Sequence, residues 1–91
     1  MVLEEFGISR DGNSHDPGSD TKARDAYYDA IFKNVYERAS KDKSSLAGVN
    51  FWAWAGEGRP RRPEGLWKLN DDFIGDPPHE PQGWYSVHDR D

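Results

Sequence analysis

Apolar positions gather in two short runs and along one helical stripe. Val2 and Leu3 open the chain, charge arrives only at Glu4 and Glu5, and Phe6-Gly7 follow. An apolar run that gains charge at its end predicts a buried parallel strand over residues 1–6. Strict alternation puts Leu3 and Glu5 on one face and Val2, Glu4 and Phe6 on the other. Residues 8–20 are mostly Gly, Asp, Asn, Ser and Pro around one Ile, which predicts a loop. Tyr28, Ile31, Phe32, Val35 and Ala39 then recur at spacings of three and four, predicting an amphipathic helix over 21–41. Ser19, Asp20 or Thr21 is placed to cap it. Its outer face carries Asp25, Asp29, Lys33, Glu37 and Lys41, with Asp29–Lys33 and Glu37–Lys41 as acid-before-base pairs four residues apart. Residues 48–54 predict a second strand, with Asn50, Trp52 and Trp54 on one face and Val49, Phe51 and Ala53 on the other. From Ala55 onward neither period is visible, and five of the six prolines lie there. That stretch reads as one long loop, and Ser86–Asp91 as the approach to a helix, capped by Asp89 or Asp91.

The pattern is therefore strand, helix, strand, which is an α/β unit. Ligands in α/β folds are read from the C-terminal ends of the strands, and both strands carry reactive or aromatic side chains there. Length limits what the unit can be. The chain has 91 residues, whereas a complete eight-stranded α/β barrel needs about 250. Hydrophobic residues are only 34%, but aromatics reach 13%, and disordered segments are poor in aromatics. A net charge of -5 argues against nucleic acid or an anionic membrane as partner. No apolar run approaches the roughly 20 residues of a membrane span. Without cysteine there is neither a disulfide framework nor a thiolate site.

Candidate chemistry follows from position. Glu5, at the end of the first strand on the face assigned to the interior, is the candidate nucleophile; the plain alternative is a carboxylate that starts a loop. Glu4 is expected to point to the helix layer and pair with Arg10 or Lys22. Trp52 and Trp54 are the candidate sugar platform, since an indole face packs on the C–H face of a pyranose ring; the plain alternative is core packing. Trp67 and Trp84 suit either outer sugar subsites or packing of the long loop. His15, His79 and His88 lack metal-ligand spacing. No nucleophile elbow or phosphate-binding glycine fingerprint occurs. Arg59-Pro-Arg-Arg62, flanked by Glu57 and Glu64, reads as a solvated loop.

The ordered set "VLEEFG", "RDAYYDAIF", "GVNFWAWAGEGRP" and "GDPPHEPQGWYSV" resembles the C-terminal part of glycoside hydrolase family 5. Within that family it looks most similar to the bacterial endo-β-1,4-mannanases. The resemblance implies a C-terminal fragment of a (β/α)8 TIM barrel: seventh strand, helix, eighth strand and long loop. Residues 1–91 would then be a partial catalytic domain, truncated at both ends. It implies retention of configuration, Glu5 as nucleophile, Trp52 under the sugar being cleaved, and a β-linked, mannan-type substrate. It implies no metal or organic cofactor. The family's acid/base is a glutamate after an asparagine on the fourth strand, and no Asn-Glu pair occurs here. The chain is accordingly expected to need the missing N-terminal barrel segment as its partner and to be inactive alone. Two other readings stand beside this one. A small carbohydrate-binding module predicts a self-contained β-sandwich, and a gene remnant predicts nothing functional.

Overall fold

The computed structural model describes residues 1–72 and 75–91. Two strands, β1 (Val2–Phe6) and β2 (Gly48–Phe51), lie parallel and are connected through helix α1 (Lys22–Ser40). The register pairs Val2 with Gly48, Leu3 with Val49, Glu4 with Asn50 and Phe6 with Phe51. Glu5 has no partner in that list and holds φ 52°, so it is the extra residue of a β-bulge.

The bulge corrects the expected faces. Phe51 packs on Tyr28, so Val49 two residues earlier and its partner Leu3 face α1 as well, and Phe6 packs on Tyr28 at 5.8 Å and Phe32 at 6.2 Å between ring centroids. Residues 3 and 6 thus both face the helix, which strict alternation forbids. Glu4 lies opposite, where its carboxylate accepts from Asn50 Nδ2 at 3.4 Å. It pairs with neither Arg10 nor Lys22, because the added residue shifts the phase after position 4.

Tyr28 and Val35 are the buried apolar residues of the core. Around Tyr28 the rings of Phe6, Phe32 and Phe51 close a cluster, with Phe51 at 5.6 Å. Ala39, expected on this stripe, is exposed. The outer pairs Asp29–Lys33 (2.7 Å) and Glu37–Lys41 (3.8 Å) form as expected. The cap does not come from residues 19–21. Asp11, at the start of a one-turn 3-10 helix (Asp11–Asn13), accepts from the backbone N–H of Ala23 at 3.0 and 3.1 Å and of Arg24 at 3.2 Å. A capping carboxylate satisfies helix N–H groups wherever the chain brings it from. The Ala23 and Arg24 N–H groups hold the Asp11 carboxyl below the usual carboxylate range.

The second expected strand is shorter than seven residues. It ends at Phe51, the Trp52–Ala53 peptide is cis, and pairing resumes with a new partner. Strand β3 (Trp54–Gly56) lies parallel to β4 (Val87–His88), with Trp54 opposite Val87 and Gly56 opposite His88. The stretch after Ala55 is therefore not all loop, although strands of three and two residues leave no readable period. Among the described residues the strands form two two-stranded parallel sheets.

Candidate active site

The site candidates sit where β1 and β2 end together. The Trp52 backbone N–H donates to the Phe6 carbonyl at 2.9 Å, continuing the ladder one residue past β2. Glu5 precedes Phe6, so the candidate nucleophile and the candidate platform leave adjacent strands at one sheet edge. Glu5 is exposed, and Trp52 is 39% exposed. Both side chains are open to a ligand.

Two groups fix the Trp52 backbone. The Tyr28 hydroxyl donates to the Trp52 carbonyl at 3.3 Å. Burial raises the Tyr28 phenol pKa, with Arg24 partly opposing, so the hydroxyl keeps its proton. Gly7 lies beside that hydroxyl, and an added Cβ there would stand 2.5 Å from the same carbonyl oxygen. Trp54 belongs to the second sheet, is 62% exposed, and puts its indole nitrogen over Gly56. It does not share a strand face with Trp52, since the strand breaks between them.

A polar framework ties the loops behind this edge. Arg10 and Arg24 converge on Asp91, at 2.8 Å and 2.5 Å. Asp91 accepts the His88 N–H at 2.8 Å, so it is a clamp rather than a helix cap. Burial raises its pKa, but the His88 N–H and the two guanidiniums outweigh this and hold it low. Asp76, fully buried, accepts from the N–H of Gly83 at 2.8 Å and from Ser86 Oγ at 2.5 Å. Gln82 Nε2 donates to the Asp76 carbonyl at 2.8 Å. Sequence reasoning missed this framework, yet one signal was present. Arg24 stands four residues before Tyr28, on the inner stripe, where a cation demands a partner.

The two tryptophans of the long loop are each tied down by one hydrogen bond. Trp67 Nε1 donates to the Asp71 carbonyl at 3.1 Å, and Trp84 Nε1 to Asn13 Oδ1 at 2.8 Å. The basic run is paired, though not with its flanking glutamates. Arg59 meets Asp89 at 2.6 Å, Arg62 meets Asp71, and Arg61 reaches Asp72 at 3.4 Å. Among the described residues no cluster of His and carboxylates suits a metal ion, and no helix is long and apolar enough to cross a membrane.

Residues 1–91 match the sequence profile described as GH family 5 beta-mannosidase-like. The chain belongs to this family. It is 33% identical over 87 residues to mannan endo-1,4-β-mannosidase 5 of Arabidopsis thaliana, covering 96% of the chain and 17% of the plant protein. It is 34% identical over 65 residues to mannan endo-1,4-β-mannosidase 5 of Solanum lycopersicum, covering 71% and 14%. Among solved structures, the family 5 mannosidase of Rhizomucor miehei matches 99% of the chain and 23% of its own length, at TM-score 0.81 and 39% identity. A variant of that enzyme in complex with mannosyl-fructose matches at TM-score 0.82 and 40% identity. The chain thus spans less than a quarter of each relative, and those relatives are glycoside hydrolases.

Proposed function

We propose that this chain is the C-terminal part of a retaining β-mannosidic hydrolase. In this reading β1 and β2 are the seventh and eighth strands of a (β/α)8 barrel and α1 is the helix between them. The observation that carries it is the shared edge: Glu5 and Trp52 leave paired parallel strands one residue to either side of the Phe6–Phe51 pair. The likeness to the Rhizomucor miehei mannosidase supports the barrel. The plant mannanases support an internal cut in a β-1,4-mannan chain.

The chemistry is a double displacement. The Glu5 carboxylate attacks the anomeric carbon while the glycosidic C–O bond breaks. A carboxylic acid from the remainder of the barrel, about 5–5.5 Å from Glu5 in retaining enzymes, gives its proton to the leaving oxygen. That carboxylate then takes a proton from water, whose oxygen attacks the anomeric carbon and frees Glu5. Trp52 packs under the ring, and Trp54 serves an outer part of the sugar chain. No metal or organic cofactor takes part. General acid–base help is worth about 10²–10⁴ in rate, so the isolated chain turns over no mannan.

A second reading, release of single mannose units from a chain end, is favoured by the family's description as β-mannosidase-like. One experiment addresses both. Residues 1–91 replace the matching segment of the Rhizomucor miehei mannosidase, and the chimaera is assayed on mannohexaose. We expect hydrolysis that disappears in Glu5→Gln and survives in Glu4→Gln. Internal fragments support the endo reading, and mannose alone supports the exo reading. Undiminished turnover by Glu5→Gln would overturn the assignment.

A further inference from the structure

The Trp52 carbonyl is held among residues that carry no chemistry themselves. Tyr28 is buried at the centre of the aromatic cluster, yet it turns its one polar atom to Trp52 O at 3.3 Å. The ring alone would satisfy the packing with Phe6, Phe32 and Phe51. Beside that hydroxyl, the bare Cα of Gly7 admits the same oxygen where a methyl group would stand at 2.5 Å. The Tyr28 oxygen also lies 3.5 Å from that Cβ position. Hydroxyl, carbonyl and glycine therefore meet at one point. That point lies two residues after Glu5 and at the backbone of Trp52.

We propose that Tyr28 and Gly7 form a positioning latch that sets the separation of Glu5 from the Trp52 indole. The inference rests on the proposed roles of those two residues. The latch works through the backbone. Phe6 O accepts the Trp52 N–H at 2.9 Å, Tyr28 holds the Trp52 carbonyl, and Gly7 lets the first strand's exit close on it. The peptide units on both sides of the Trp52 Cα are then fixed relative to the strand that carries Glu5. A change of one ångström in such a geometry can cost about 100-fold in rate.

The test is a double-mutant cycle in the same chimaera, with rates normalised by active-site titration so that misfolded material does not count. Tyr28→Phe keeps the ring and removes the hydroxyl. We expect kcat to fall about 10- to 100-fold, with a smaller change in KM. In a Trp52→Ala background the same substitution should have almost no effect, because the platform it positions is gone. A purely structural role would lower the thermal midpoint equally in both backgrounds and leave the normalised kcat unchanged; that outcome overturns the latch. Gly7→Ala, read in the same cycle, should reproduce the pattern, and full activity from it also overturns the latch. If Glu5→Gln and Trp52→Ala themselves leave activity intact, the reading of the site fails, and that failure is distinct. If both lower it while Tyr28→Phe is silent, only the latch fails.

Discussion

Arg24, in the first turn of α1, reaches the carboxylate of Asp91 at 2.5 Å across 67 residues of chain. Arg10 joins the same carboxylate at 2.8 and 2.9 Å, and all three side chains are nearly inaccessible, at 1%, 2% and 7% exposure. Two cations thus share one anion, and the helix, the first loop and the last residues are bound into one unit. Removing the charge strands both guanidiniums. Asp91→Asn in the chimaera should cost about 3–5 kcal/mol, the usual penalty for breaking a buried pair. Denaturant unfolding measures it, and a loss below about 1 kcal/mol, the range of a surface pair, would show that water reaches the cluster.

A second prediction concerns pH. Burial pushes the His88 imidazole pKa below 6.5, Arg59 adds to this and Asp91 opposes it. Neither ring nitrogen has a hydrogen-bond partner among the described residues. The unfolded chain therefore binds the proton more readily than the folded one. The stability this supplies is complete above pH about 6.5 and is lost as pH falls through the folded value. Asp11, Asp71, Asp89 and Asp91 are held below 3.8, the first three chiefly by hydrogen bonds. Their contributions are lost only at more acid pH, outside this window. Unfolding free energies between about pH 7.5 and 5 should slope upward with pH, and His88→Phe should flatten the slope. An unchanged slope in the variant would assign the effect elsewhere.

Much of the frame was legible from spacing. The helix, its charged outer face and the parallel pair follow from periods of 3.6 and 2; the helix and first strand differ by one residue at their ends, whereas the second strand stops three residues early. What spacing could not show was phase. One bulged residue at Glu5 leaves Leu3 on the helix side together with Phe6 and turns Glu4 away from it. The break after Phe51 likewise separated Trp52 from Trp54. The polar clamp was hidden for another reason. Its members, Arg10, Arg24, Asp76 and Asp91, are far apart in sequence and of types that normally face water.

The third prediction treats the two tryptophans separately. Trp52 is tied to the strand of the proposed nucleophile, whereas Trp54 starts the other sheet. Stacking on a sugar face buries an aromatic side chain, worth roughly 1.5–3 kcal/mol, or about 10- to 100-fold in kcat/KM. Trp52→Ala should show that loss in kcat. Trp54→Ala should mainly raise KM on longer substrates. Equal effects on mannobiose and mannohexaose would contradict the division of roles.

The fourth concerns the chain alone. Of its large apolar side chains, only Tyr28 and Val35 are buried among the described residues, while Met1 is 76% and Trp54 62% exposed. Parallel sheets are normally covered on both faces, and α1 covers one. Ordering costs about 1–2 kcal/mol per residue in the backbone. The lone chain should therefore lack a sharp thermal transition as a monomer in dilute solution. Calorimetry with analytical ultracentrifugation checks this, and a cooperative monomeric transition would contradict it.

The most direct test of the central claim is covalent trapping at Glu5. A 2-deoxy-2-fluoro-β-mannosyl fluoride carries a good leaving group, and its fluorine slows hydrolysis of the glycosyl-enzyme. Incubated with the active chimaera and mapped by peptide mass spectrometry, it should leave one fluoromannosyl group esterified to Glu5. An active chimaera labelled at Glu4 or elsewhere, or one that turns over substrate without any adduct, would contradict the account.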